Sequence, residues 1–295
     1  MRIWRSTRLR VSGLGVGLLA VLLLANPHDV AAATQPCERA CLEGFVDQYL
    51  EAMLAHDPHR APFAAEVKFT ENGQKLELGD GLWRTFTARG GYRMFVDDVE
   101  AGHVAFLGSI READTPAMLA LHLRIRKDKI TAAETLVQRN EKSALGFEEI
   151  GYTWREPVPA GERHSRADLL RTVNAYFSGL QQNDGKSVCP FDADCNRIEN
   201  GVFTTNVPTP PLRIRARRCI AIDPEHGLVF SYVFSDHMGP PQPCKRHSSR
   251  SSWWALRRSP PTSSRIVGPS DRNFSRPSYR RRQNQASGAN EEPRL

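Results

Sequence analysis

The feature that most constrains this chain is a series of motifs that occurs twice, in one order, about 127 residues apart. Residues 42–54 place apolar side chains at 42, 45, 46, 49, 50, 53 and 54, a single helical stripe. Leu169, Val173, Tyr176, Phe177 and Leu180 repeat that stripe, behind a capping box of Ser165 and Asp168. Val46, Tyr49, Met53 and Asp57 correspond to Val173, Tyr176, Leu180 and Asp184 at a spacing of 127. Pro62-Phe63 and Glu71-Asn72-Gly73 recur as Pro190-Phe191 and Glu199-Asn200-Gly201 at 128, and Asp98-x-Glu100-x-Gly102 recurs as Asp223-x-Glu225-x-Gly227 at 125. One shared tripeptide would mean little, but four landmarks in order at nearly constant offset mean internal duplication.

Each copy opens with its helix and ends in strands. Leu119, Leu121, Leu123 and Ile125 alternate with Ala120, His122, Arg124 and Arg126; Lys127-Asp128-Lys129 is a polar turn, and Ile130 to Arg139 alternates again. Two alternating runs about a short turn predict an antiparallel hairpin. Helix first and curved antiparallel sheet afterwards is an α+β plan, with the helix covering one sheet face.

The run Tyr-Leu-x-Ala-Met-Leu-Ala-His-Asp-Pro from Tyr49, then Phe69-Thr-Glu-Asn-Gly73, Gly79-Asp-Gly-Leu-Trp83 and the closing strand resemble a nuclear-transport-factor-2-like domain. The resemblance is to the polyketide-cyclase-like branch, in particular to a family of exported fungal and bacterial proteins carrying the domain in tandem. It covers 37–139 well and 165–238 partially. It implies two cone-shaped domains of bent antiparallel sheet wrapped by helices, each with a pocket, the second incomplete. It does not choose among isomerases, dehydratases, cyclases, epoxide hydrolases and plain binding domains.

The ends of the chain differ from its middle. Arg2, Arg5, Arg8 and Arg10 precede an uncharged run, Gly13–Ala25, and Ala31-Ala32-Ala33 offers a cleavage site, the layout of a secretory leader. The apolar run is shorter than the roughly 20 residues a membrane-spanning helix needs. A secreted or periplasmic protein beginning near Thr34 is expected, with no membrane attachment after cleavage. The net charge of +7 resides in the two ends: residues 245–295 hold eleven Arg and Lys245 against three acids, and residues 34–244 are net acidic by five. Nucleic-acid binding by a basic face loses its support.

The expected organisation is a leader (1–33), a first domain (37–140), a linker (141–164), a diverged second copy (165–244) and a basic disordered tail (245–295). The tail is rich in Arg, Ser and Pro and begins where the second copy's closing hairpin is due, as an out-of-frame reading near Cys244 would produce. Six cysteines in an oxidising compartment favour disulfides, with 15 pairings allowed and Cys195–Cys219 preferred. The set lacks metal-ligand spacing, so no metal is expected, and no cofactor motif is present.

Candidate site residues come from the first copy. His56, Glu71 and Glu134 are the candidate acids or bases. His56-Asp57-Pro58 is either a general base with its carboxylate or a helix terminator. Glu71 is not required by the Asn-Gly turn beside it and is either catalytic or structural. Glu134 is buried if its strand face is core, where an unpaired carboxylate is costly. Tyr49, Asn72, Trp83 and Tyr92 are the candidate ligand-binding residues, with Trp83 as a lid or as an aromatic plug. His122 faces a pocket, solvent or an interface. Three functions follow: a binder of a small, partly apolar organic molecule in the first domain, a lyase or isomerase of the dehydratase or cyclase type, or a non-catalytic interaction module. An enzyme would bring two titratable groups to one point, a binder would keep an apolar pocket, and a scaffold would need no cavity.

Overall fold

The computed structural model describes residues 37–151, 154–182, 195–204, 212–237 and 250–257. The leader, most of the tail, Cys189 and Cys244 lie outside these residues. Helix α1 (Arg39–Leu54) turns its predicted stripe inward, with Leu42, Val46, Tyr49, Leu50 and Met53 buried. Strands β1 (Phe63–Glu71), β2 (Gln74–Lys75), β3 (Phe86–Asp98), β4 (His103–Glu112), β5 (Thr115–Arg126) and β6 (Lys129–Gln138) follow. They form one sheet in the order β2-β1-β6-β5-β4-β3. It is a mixed sheet, because β1 runs parallel to β6 while the other neighbours are antiparallel. The predicted hairpin is β5–β6, and its turn places Lys127 and Asp128 at positive φ, as a tight two-residue turn requires.

The second copy supplies α3 (Arg166–Gln182), a short hairpin of β7 (Ile198–Glu199) and β8 (Val202–Phe203), and a three-stranded sheet of β9 (Leu212–Asp223), β10 (Leu228–His237) and β11 (Arg250–Arg257). The repeat is structural. Glu71 and Glu199 both end the first strand of a hairpin whose next two residues, Asn-Gly, have φ of 48° and 79° in one copy and 53° and 75° in the other. Ser165 and Asp168 cap α3 as expected, Asp168 N–H donating to Ser165 Oγ at 3.1 Å.

Three expectations are corrected. The linker contains a ten-residue helix, α2 (Glu141–Ile150), capped by Asn140 Oδ1 on Ser143 N and ended by Gly151 at φ 60°. The second copy does not stop at 244, since β11 pairs along most of β10, from Leu228↔Arg257 to Ser235↔Arg250. One of the two strands expected to be lost is therefore present. Cys195 and Cys219 are not bonded to each other; among the described residues the disulfide is Cys37–Cys41, with Cα atoms 5.3 Å apart.

The layers run α1, first sheet, second sheet, α3. One apolar cluster lies between α1 and the first sheet, another between α3 and β9–β10. The third forms the seam between the sheets, where Met94, Val96, Leu107, Met118 and Ala120 of the first meet Ala221, Leu228 and Phe230 of the second. The seam is reciprocal. Arg39 at the start of α1 pairs with Asp223 at 2.9 Å, and its repeat equivalent Arg166 pairs with Asp98, the equivalent of Asp223, at 2.6 Å. Each aspartate also accepts the amide three residues on, Asp98 from Ala101 at 3.1 Å and Asp223 from His226 at 3.2 Å. Residue i of one copy meeting j of the other, and j meeting i, defines a pseudo-two-fold interface.

Candidate functional site

Five of the predicted residues lie on or beside the face of the first sheet under α1, and all five hold structure in place. Trp83 is 1 % exposed in a short 3-10 turn, Gly81–Arg84, so it is a plug and not a lid. Its indole N–H donates to the Tyr49 hydroxyl at 3.1 Å, and the two rings meet edge to face with centroids 5.0 Å apart. Burial pushes the Tyr49 hydroxyl well above the ordinary tyrosine range. Glu71 Oε2 accepts from Leu82 N at 2.8 Å, and Arg139 approaches Oε1 at 3.3 Å, so Glu71 clamps the turn that carries Trp83. His56, exposed and at φ 52°, donates from Nδ1 to the Trp83 carbonyl at 2.5 Å. Asn72 fastens the hairpin turn to β6, accepting from Val137 N at 2.8 Å while its own amide donates to the Thr135 carbonyl at 2.9 Å.

Glu134 projects from the other face. Thr70 is opposite Glu134 and Glu71 opposite Thr135 in the β1–β6 register, and side chains alternate along a strand. Glu71 and Glu134 therefore stand on opposite sides of the sheet and cannot share a reacting atom. On the seam side, Glu134 accepts both guanidinium nitrogens of Arg218 from the second copy, and Lys68 lies 3.9 Å away. The Tyr232 hydroxyl donates to the Glu134 carbonyl at 2.9 Å. These groups edge a cleft of about 280 Å³ whose apolar walls are Leu136, Ala216, Val233 and Phe234. Phe234 is 39 % exposed, and Gly73 lies at the rim.

Tyr92 and His122 are also on the seam side. Tyr92 is covered by α2, its ring 5.2 Å from Phe147. His122 is buried, as an interface residue rather than one facing solvent, with Nε2 3.2 Å from His103 Nδ1. His103 Nδ1 also donates to the Ile220 carbonyl at 3.1 Å, and His122 Nδ1 has no partner. Burial, then the neighbouring His103, Arg218 and Arg124, holds the His122 pKa well below the usual range, so the ring is neutral.

A second polar cluster sits where α1 meets the second copy. Arg39 bridges Asp97 of β3 and Asp223 of β9. Burial raises Asp97 to about 7 against the pull of Arg39. For Asp223 the upward push of burial is outweighed by His226 and Arg39, and its pKa is lowered. His226 Nε2 lies 3.1 Å from the Arg155 carbonyl and Nδ1 3.2 Å from Asp223 Oδ2. A cleft of about 370 Å³ opens beside it, lined by Arg93, Trp154 and His226 among others.

Sequence reasoning missed Arg218, Tyr232 and Lys68. Arg218 belongs to an alternating Arg-rich strand that reads as a solvated edge, and only the repeat, which pairs β9 with β3, marks it as a seam residue. Among the described residues no helix is long and apolar enough to cross a membrane.

A family model described as "Domain of unknown function (DUF8021)" matches residues 35–137 and again 162–254. Among curated proteins nothing matches. Two solved structures resemble parts of the chain. One is a de novo designed protein with curved beta-sheet, 13 % identical with a TM-score of 0.29, the match covering 34 % of this chain and 88 % of the designed one. The other is AclR, a hydroxylase candidate from Streptomyces galilaeus, 10 % identical with a TM-score of 0.29, covering 48 % of this chain and 99 % of AclR. Both likenesses are too distant to carry an argument.

Proposed function

The chain belongs to the DUF8021 family, whose model it carries twice, and we propose that it is a non-catalytic binding protein that takes a partly apolar, negatively charged organic group in the seam cleft. The observation that carries this reading is the contrast between a filled interior and an open seam. Under α1, Tyr49, Trp83, Phe86 and Phe106 leave the first copy packed with aromatic rings. At the seam, apolar walls stand beside Lys68 and Arg218, two cations against the single carboxylate of Glu134, as expected of a site that anchors one charged end of an apolar group. The candidate acids and bases support binding over chemistry, because Glu71 and His56 hold a turn and Glu134 is neutralised by Arg218. The same reading keeps each copy as a nuclear-transport-factor-2-like unit and the protein as secreted or periplasmic. The three-part leader and the Cys37–Cys41 disulfide support export, and N-terminal sequencing of exported protein should read from Thr34.

The test uses the anionic apolar dye 8-anilinonaphthalene-1-sulfonate. The wild type should bind it with enhanced, blue-shifted emission. Phe234→Ser, which removes an exposed wall, should weaken binding roughly tenfold, about 1.4 kcal/mol, and Trp83→Phe should leave it unchanged. Dye binding that survives Phe234→Ser and is lost in Trp83→Phe would place the site in the first copy's interior and sink the reading.

A further inference from the structure

The pseudo-two-fold seam makes every feature of one copy a template for the other, and the seam cleft has a counterpart that is already filled. In the β3–β4 register Met94 is opposite Leu107; in the β9–β10 register Arg218 is opposite Tyr232. Counting outward from these pairs, Ala216 stands where Tyr92 stands and Phe234 where Ser109 stands. On the first copy that position is covered by α2. Phe147 packs on Tyr92, and Ser109 Oγ donates to Glu148 at 2.6 Å. The opposite wall matches too. Gly201, the repeat equivalent of Gly73, presses on α2 so closely that a Cβ on Gly146 would lie 2.5 Å from the Gly201 carbonyl. Gly73 takes the same place at the rim of the open cleft. On one side of the axis a helix lies between Tyr92 and Gly201; on the other, Ala216 and Gly73 face each other across a cleft.

Resting on the reading of this cleft as the binding site, we infer that its occupant is an amphipathic helix of a partner protein, carrying an aromatic anchor and, one residue before it, a glycine or alanine. The anchor seats on Ala216, where the smaller side chain leaves the room that Tyr92 occupies in the first copy. The small residue passes Gly73, as Gly146 passes Gly201. Its charge is negative, because Lys68 and Arg218 border the cleft, are more than half exposed along their side chains and outnumber the one carboxylate between them, Glu134; α2 itself has three glutamates against one lysine. The chain's own residues 258–295 do not fit: they are Arg-, Ser- and Pro-rich, and their two aromatics, Phe274 and Tyr279, follow Asn273 and Ser278 rather than a glycine or alanine. At the place of Glu148 the occupant carries no carboxylate, since Phe234 has no hydroxyl to donate.

The probe is a fluorescein-labelled peptide of α2, residues 140–151, with Glu148→Ala, titrated into the full-length protein by anisotropy. It should bind and displace the naphthalene dye. Phe147→Ala or Gly146→Leu in the peptide should each weaken binding roughly tenfold or more, as loss of an anchor does. Ala216→Glu and Lys68→Glu in the protein, both at exposed positions, should do the same with thermal stability unchanged. Peptide binding that is absent, or indifferent to Ala216→Glu and Lys68→Glu, while the dye still binds, overturns the helix and leaves the binding cleft standing. Failure of both probes overturns the cleft as well.

Discussion

Removing Arg166 tests the seam most directly. Asp98 has a side chain 1 % exposed and accepts from both terminal nitrogens of Arg166 at 2.7 and 2.6 Å, from Ala101 N and from Ile222 N. The guanidinium pKa is raised, first by this hydrogen bonding. Arg166→Met keeps the aliphatic stem and deletes both charged donors, leaving a buried carboxylate with two amides. Breaking a buried pair costs about 3–5 kcal/mol, and because Arg166 is one-third exposed water recovers part of that, so about 2–3 kcal/mol is expected. For a unit of this size that is a fall in Tm of roughly 5–10 °C. The mirror substitution Arg39→Met should act on the same cooperative transition, since both residues cross the seam. Differential scanning calorimetry and urea unfolding followed by circular dichroism would read it. Two separated transitions, with Arg166→Met moving one and Arg39→Met the other, would refute the claim that the copies fold as one body. Arg166→Lys should recover only part of the loss, because one ammonium cannot replace a two-toothed fork.

Acid sensitivity should come from the seam histidine. The folded pKa of His122 is depressed, so its neutral form contributes stability that is complete above the ordinary histidine pKa of 6.5 and is lost as pH falls below it. His122→Leu should flatten the unfolding free energy between pH 7 and pH 5, approximate limits set by that depression; an unchanged slope would count against a buried neutral ring. Asp97 acts with the opposite sign. Its folded pKa, raised to about 7 from 3.8, lowers stability as pH climbs through that interval, so Asp97→Asn should stabilise more at alkaline than at acid pH. Equal effects at both would refute it.

The copies were legible in the sequence because turns and caps are local chemistry. Asn-Gly at 72–73 and 200–201 needs positive φ in both places, and Ser165 with Asp168 marks a helix start wherever it packs. The seam was not legible. Its face of β5 runs from Met118 and Ala120 through His122 into Arg124 and Arg126, so it reads as a solvated side, and the burial of its first three residues depends on strands about a hundred residues away in sequence. Trp83 shows the same limit from the other side, since a Gly-rich aromatic loop reads equally as lid or plug until its neighbours are known. Helix α2 had a readable signal in Asn140 before it and Gly151 after it, but only Ser143, Ala144 and Phe147 make its buried face, too sparse a stripe to stand out.

Covalent linkage of the two copies changes what the seam must withstand. Two separate chains meeting through these ion pairs would part on dilution, and any groove between them would vanish with the pairing. On one chain the partner is always present at a local concentration in the millimolar range, an order-of-magnitude figure for short connections. The seam can therefore carry an unfilled cleft, a mismatched histidine pair and a raised carboxylate, and still present the same surface at any protein concentration. Linkage also lets the halves differ. Ser109 on one side and Phe234 on the other allow one helix seat to be closed by α2 while its counterpart, among the described residues, is open, an asymmetry that two identical chains related by a true axis could not keep.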